Sequence, residues 1–393
     1  MDAISLDTFH LDPLVPGKAP ADTTVVVAMS GGVDSSAVAA LLKHKGYKVI
    51  GITLQLWDYT PASEGGTKKF GTCCALDDVY DARRVCQTIG IPHYVLNYES
   101  QFKEKVIDDF VDTYLNGATP IPCVRCNQRI KFDALLEQAK KLGADLLATG
   151  HYVQKLFDAE GKAQLHRGFD PGKDQSYFLF TTTQAQLEAS AFPLGGLTKP
   201  QTRALAKELG LHLSTKKDSQ DICFVPGGDY RKVVKKFAPH AEQPGHFVDA
   251  DGKVLGEHDG IINFTVGQRR GLGQAFGAPV YVTAIRPESR EVVLGPREEL
   301  ATRSFVATDV NWIGEGDVTG QQVTVKVRAA HKGVLAELEK LDAGRVRVTF
   351  FDPEEAISPG QAAVFYDHDR MLGGGWISQP EAAERVRVQI QVA

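Results

Sequence analysis

Long apolar runs are missing from these 393 residues. No stretch approaches the roughly 18 consecutive hydrophobic residues of a membrane-spanning helix, so no membrane partner is expected. Cysteine is scarce, six in all, and two of the six are adjacent, Cys73 and Cys74. That usage excludes a disulfide framework and points to reduced thiols in a cytoplasmic protein, with catalytic or metal roles open. Cationic excess is lacking too: 44 Lys and Arg face 49 Asp and Glu, for a net charge of −5. Nucleic-acid binding by the surface as a whole is therefore disfavoured, and any such contact must be local. The first 22 residues have neither a basic nor an apolar signal region and carry Asp2, Asp7 and Asp12. They read as a disordered extension and not as a signal peptide. No GxxxxGK[ST] loop occurs, which excludes the ordinary P-loop, and no internal repeat is evident.

What is present begins at Thr24. The run Val25 to Ala28 is short and continuously apolar, as buried parallel strands are, and leads through Met29, Ser30, Gly31 and Gly32 into Val33, Asp34 and Ser35. Ala37 to Leu42 continues as a helix-forming run. The glycines let backbone approach a ligand closely, and the helix start leaves amide donors for an anion. A strand, Ser-Gly-Gly-x-Asp-Ser and a helix together resemble the PP-loop of ATP pyrophosphatases, which cut ATP between its α and β phosphates. ATP is the expected cofactor, with Asp34 placed to organise Mg²⁺ at the pyrophosphate.

The first half alternates strands and helices. Strands are expected at 48–56, 92–96 and 145–149, and helices at 77–90, 102–115, 132–142 and 198–210. This order predicts an α/β domain with a parallel sheet, covered on both faces, with ligands at the carboxyl ends of the strands. Past residue 226 the texture turns rich in glycine and basic residues, as in a small mixed domain. From Ser304 short alternating strands (322–328, 345–350, 362–366 and 385–391) predict an antiparallel β-barrel, with Ser358-Pro-Gly and Gly373-Gly-Gly as separating turns. The expected organisation is an extension over 1–22, a PP-loop domain over 23–225, a central domain over 226–297 and a C-terminal barrel over 298–393.

Two cysteine sites carry further chemistry. Between Thr119 and Phe132, two prolines predict an extended loop ending at Cys126, just before a helix. A thiol at a helix start beside Arg125 and Arg129 has its thiolate favoured. By itself the Cys123-x-x-Cys126 spacing fits a redox pair, half a zinc site or two small residues equally. Cys223 lies in a second loop, after Lys216 and Lys217, and a lone cysteine is more often packing than function. Basic clusters at 216–217, 231–236 and 269–270 read first as solvated faces.

Taken in order, Ser30 to Ser35, Pro122-Cys-Val-Arg-Cys-Asn127, Ala148-Thr-Gly-His-Tyr152, Lys173-Asp-Gln-Ser-Tyr-Phe-Leu179, Asp221-Ile-Cys-Phe224, Gly267 to Gly273 and Leu372-Gly-Gly-Gly375 resemble the bacterial tRNA-specific 2-thiouridylase family over residues 23 to about 378. The resemblance implies that ATP adenylates the 2-oxygen of the wobble uridine (position 34) in tRNA and that sulfur then replaces it. It implies ATP contacts at Ala28, Met29, Ser30, Gly31, Gly32, Val33, Asp34, Ser35, Leu54 and Gly150. Cys223 would carry a persulfide from a sulfur-relay donor protein, and Cys126 would be the nucleophile that releases the sulfur, leaving a Cys126–Cys223 disulfide. Contacts with tRNA would come from Ile121, Pro122, Cys123, His151, Lys173, Asp174, Gln175, Arg328, Ala329 and Gln361.

Three positions depart from the family pattern. Ile121 stands where asparagine is usual, Cys123 where some members have aspartate, and Arg328-Ala-Ala-His331 replaces a more basic and aromatic run. Cysteine at 123 opens a rival route, in which Cys123, Cys126 and Cys223 hold an iron–sulfur cluster with one open iron. Such sites normally carry four cysteines, so the persulfide is preferred. Other PP-loop enzymes, which adenylate small molecules, would account for the loop but not for the paired cysteines or the barrel.

Overall fold

The computed structural model describes Leu6, Phe9 and residues 11–57, 76–217, 221–314 and 319–379. In chain order come β1 (Thr24–Ala28), α1 (Val33–His44), β2 (Lys48–Gln55), α2 (Leu76–Ile89), β3 (His93–Asn97), α3 (Glu99–Phe102), α4 (Asp108–Leu115), α5 (Pro122–Arg125), α6 (Leu136–Lys141), β4 (Leu146–Ala148), β5 (Val153–Phe157), β6 (Ala163–Arg167), α7 (Gln184–Glu188), β7 (Ser190–Ala191) and α8 (Lys199–Glu208). Then follow α9 (Tyr230–Phe237), β8 (Gly245–Val248), β9 (Val254–His258), β10 (Tyr281–Arg286), β11 (Glu291–Gly295), β12 (Ala301–Trp312), β13 (Gln322–Lys326), β14 (Val334–Lys340), β15 (Val346–Glu355), β16 (Ala362–Asp367) and β17 (Arg370–Ile377). The chain divides into two compact units, one of residues 1–106, 123–228 and 369–371, the other of 107–122, 229–368 and 372–393.

The first unit is built on a five-stranded parallel sheet in the order β3-β2-β1-β4-β7. Val25, Val26 and Val27 are fully buried, as a continuous apolar run in a doubly covered sheet requires. Register decides what gathers at the strand ends. Val27 pairs with Gly51 on one side and with Ala148 on the other. Ser30, Leu54 and the Gly150–His151 step therefore reach the same level beyond the sheet, although they lie far apart in sequence. That is the crevice where open α/β sheets bind ligands.

Two expectations need correction here. The described part of the leading segment is not loose. Phe9, Leu11, Leu14 and Val15 pack against the core that includes α1, and Lys45 Nζ donates to the carbonyls of Leu6 (3.2 Å) and Phe9 (2.7 Å). Apolar residues spaced between the aspartates and prolines are enough to fasten it. Second, the helix expected at residue 132 starts ten residues earlier: Pro122 is its first residue, since a fixed φ and a missing N–H suit the first turn. Cys126 thus lies inside a helix, at the start of a stretch, Cys126–Leu135, wound in the wider π form. A shorter π stretch occupies Lys103–Ile107, within what the sequence pattern predicts as one uninterrupted helix.

In the second unit, β12, β15, β14, β13, β16 and β17 run in that order and β12 also pairs with β17, closing a six-stranded antiparallel barrel. A four-stranded sheet, β10-β11-β8-β9, forms the central part. Gly373-Gly-Gly lies inside β17 and is not a turn. A Cβ at Gly373 would sit 2.1 Å from the Asn311 carbonyl oxygen, so glycine is there because the β12 backbone approaches too closely for a side chain. The strand expected at 385–391 lies outside the described residues.

Candidate active site

The loop between β1 and α1 is shaped by its own hydroxyls. Ser30 N donates to Ser35 Oγ at 3.1 Å, and Ser36 Oγ donates to the Gly32 carbonyl at 2.8 Å. Gly31 has φ +71°, and a Cβ there would come 2.2 Å from the Asp78 carbonyl oxygen, so α2 backbone is pressed against the loop. Gly32 differs: its φ is −91°, and a Cβ would meet nothing closer than Ser30 Oγ at 3.4 Å. Packing against protein therefore does not require a glycine at 32, and the space beside it is open to the approach of a ligand. Beyond it the first amides of α1 lack partners within the helix, donors of the kind that suit an anion.

Asp34 faces inward. Lys199 Nζ donates to both its carboxylate oxygens, at 2.7 and 2.8 Å, and the Tyr152 hydroxyl donates to Oδ1 at 2.9 Å. Lys199 is buried while Asp34 stays 31% exposed. Asp34 is thereby engaged by one ammonium and one hydroxyl. It ties the start of α1 to the start of α8. Gly150 closes the corner, since a Cβ there would lie 3.0 Å from Asp34 Cβ and from Ser35 N. Ala28 and Met29 lead into the loop, Val33 and Ser35 begin α1, and Leu54 is buried near the end of β2.

Lys216 anchors the loop from behind. Its Nζ donates to the Gly31 carbonyl (2.9 Å), Asp78 Oδ1 (2.6 Å) and Asp81 Oδ2 (2.7 Å). Burial pulls its pKa down, but the hydrogen bonds and charges of Asp78 and Asp81 outweigh this and leave it raised. Tyr152, Lys199 and Lys216 were not among the expected site residues. A signal existed for Lys199: Thr198 and Gln201 form a capping box that fixes it at the first position of α8.

His151 is buried and held well below its ordinary pKa by burial and by the Lys131 charge, so it is neutral. Its Nδ1 lies 2.8 Å from Thr149 Oγ1, and its ring stacks near Phe132 with centroids 6.1 Å apart. Asp174 and Gln175 are engaged in shaping the loop. Asp174 accepts from Gly168 N, Ser176 N and Ser176 Oγ, and Gln175 Oε1 accepts from Tyr152 N at 3.0 Å. Lys173 is half-buried beside them.

Cys126 and Cys223 are half-buried and belong to the same unit; Cys123 is exposed. Phe102, in α3, packs edge-to-face on Phe224, the neighbour of Cys223, with centroids 5.7 Å apart. The same short helix contacts the Cys126–Leu135 stretch. Behind Cys126, Asn127 is buried, donating to the Phe178 carbonyl and accepting from Lys131. Among the described residues no three Cys, His, Asp or Glu side chains form a metal-holding group.

In the other unit Ile121 and Pro122 are buried, Arg328 and Ala329 are exposed in a turn, and Gln361 Nε2 donates to the Thr119 carbonyl at 3.0 Å. No described helix is long and apolar enough to cross a membrane.

The parallel sheet and the glycine loop at the carboxyl end of β1 define a nucleotide-binding α/β domain of the HUP class, and the model of the tRNA methyl transferase HUP domain matches residues 23–227. The tRNA methyl transferase PRC-barrel domain matches 231–296, and the aminomethyltransferase β-barrel domain matches 302–377. Among curated proteins, the tRNA-specific 2-thiouridylase MnmA of Rhodospirillum centenum is 56% identical over 93% of this chain and 94% of its own length. That of Paracoccus denitrificans is 54% identical over 92% and 93%. The chain belongs to the tRNA-specific 2-thiouridylase family. A solved NMN synthetase from Francisella tularensis is 16% identical, with a TM-score of 0.32 over 56% of this chain and 78% of that one.

Proposed function

We propose that the chain is a cytoplasmic, ATP-dependent tRNA-uridine 2-sulfurtransferase acting on the wobble position. The observation that carries this reading is one unit holding both a phosphate loop braced by two lysines and the thiols Cys126 and Cys223. ATP would enter with Mg²⁺, whose charge would offset that of the phosphates, and Asp34 is the carboxylate of the loop that would face it. Amides of Gly31, Gly32 and the first turn of α1 hold the phosphates, while Leu54 and Gly150 border the nucleotide.

The 2-oxygen of the uridine attacks the α-phosphorus and pyrophosphate leaves, so a poor leaving group becomes AMP. A persulfide on Cys223, loaded by a sulfur-relay donor protein, attacks C2 through its terminal sulfur, and AMP departs with the C–O bonding pair. The Cys126 thiolate then attacks the Cys223 sulfur. The sulfur–sulfur bond breaks, sulfur remains on C2, and the resulting Cys126–Cys223 disulfide is reopened by an external thiol. His151, neutral and set among Phe132 and Phe192, suits stacking against an unstacked base. Lys173, with its loop fixed by Asp174 and Gln175, would meet the backbone near that base, and Ile121, Pro122, Cys123, Arg328, Ala329 and Gln361 would supply the remaining contacts.

The matched domain descriptions mention methyl transfer, a reaction that needs neither a pyrophosphate site nor two thiols. ATP–pyrophosphate exchange with and without bulk tRNA, followed by mass spectrometry of the digested tRNA, separates the readings. Exchange that requires tRNA, together with a uridine in which sulfur has replaced oxygen, is the expected result. Exchange supported by a small carboxylate without tRNA, or a methylated product, would overturn it.

A further inference from the structure

We propose that Lys216 is a positioning residue for the ATP phosphates, acting through the Gly31–Gly32 peptide. The inference rests on the nucleotide reading of the loop. A trans peptide is planar, with its C=O and N–H pointing in opposite directions. With the Gly31 oxygen held by Lys216 Nζ on the α2 side, the Gly32 N–H is turned to the opposite side, away from α2. Nothing intrinsic to the loop enforces that choice. Both residues flanking the peptide are glycines, the pair best able to let a peptide plane rotate. Sterics confine Gly31 through Asp78, yet Gly32 has room around it. The lysine is therefore what selects one of two peptide orientations.

Lys216 is itself well anchored for this task. Asp78 and Asp81, one turn apart on α2, take up two of its protons, while its third direction meets the Gly31 oxygen. His212 Nε2 lies 3.3 Å from Asp81 Oδ1 and completes the cluster. A cation drawn to a phosphate would leave the carboxylates; this one is fixed on them and acts one bond removed from the ligand. It also stands seven residues before Cys223, so the peptide facing the nucleotide and the segment leading to the thiol share one fixed point.

The test compares binding of α,β-methylene-ATP and of adenosine to wild type, Lys216→Met and Lys216→Arg by calorimetry, with thermal midpoints recorded. Lys216→Met should lose about 10- to 100-fold in affinity for the nucleotide, the cost of one misdirected donor to a charged group, and stay within about twofold for adenosine. Lys216→Arg, which retains donors, should recover most of the loss. In steady state the loss should appear in the KM for ATP more than in kcat. Equal losses for both ligands would reduce Lys216 to a structural brace, and unchanged binding of both would also overturn the proposal. Should Lys216→Met not fold, Lys216→Gln takes its place under the same criteria. A wild type that fails to bind α,β-methylene-ATP would sink the nucleotide reading itself, an outcome distinct from failure of the variant.

Discussion

The phosphate loop and the barrel turn at Arg328 were both expected to touch substrate, and they are built on opposite plans. At Ser30 to Ser35 the groups proposed to meet ligand are backbone amides, and the polar groups around them are engaged with protein: serines with the loop, Asp34 with Lys199, the Gly31 carbonyl with Lys216. At Arg328 and Ala329 the chain is an exposed turn, and the nearby Gln361 is engaged with Thr119. A site that binds through backbone must be held rigid by side chains, and that framing is visible without ligand. A site that binds through an exposed guanidinium needs no framing and leaves no internal trace.

The comparison breaks first at Gly31. Gly31→Ala places a Cβ 2.2 Å from the Asp78 oxygen at a positive φ, and tRNA-dependent AMP formation should fall about 10³-fold or more, as for loss of a positioned donor set. Activity within tenfold of wild type would mean the loop is not rigid. Next are Asp34→Asn and Lys199→Met. Each strands a charge from a pair with one buried member and should lower pyrophosphate release about 100-fold, with a reduced thermal midpoint. The double variant should be less impaired than the sum of the two, which a double-mutant cycle would measure.

Smaller effects belong to the barrel. Arg328→Ala should leave the KM for ATP unchanged and weaken tRNA binding uniformly, reducing the salt slope of the affinity by about one. An unchanged slope would remove Arg328 from the interface. The smallest effect concerns His151, whose folded pKa is depressed below its unfolded value of about 6.5. The unfolded chain then binds more protons in acid, so this contribution to stability is complete above that pH and is lost as pH falls below it. Urea midpoints between pH 8 and pH 5 should decline, and His151→Gln should flatten part of that decline.

Sequence made the parallel sheet and its loop legible because both are local: an apolar run, two glycines and a helix start adjoin one another. The alternating strands of the barrel were readable for the same reason. What escaped notice depends on distance along the chain. Lys199 and Lys216 meet the loop from more than 160 residues away, and nothing in their own neighbourhoods identifies a carboxylate or a carbonyl as partner. Gly373 to Gly375 were misread as a turn because the β12 backbone that demands glycine there lies some sixty residues upstream. The start of the cysteine helix was missed because prolines suggested an extended loop, although one of them occupies the first helical position.

Lys216 also bears on how the catalytic cycle responds to acidity. Its ammonium is shifted above the ordinary lysine range, so it keeps its proton throughout the interval in which enzymes operate. The fixed charge nearest the loop carbonyl is thus blind to pH, and His151 is already neutral at neutral pH. A pH–rate profile near neutrality is therefore shaped by neither Lys216 nor His151, and what separates the thiols from the remaining candidate, Lys155, whose pKa burial pulls down to about 8, is a Lys155→Met profile recorded beside that of wild type.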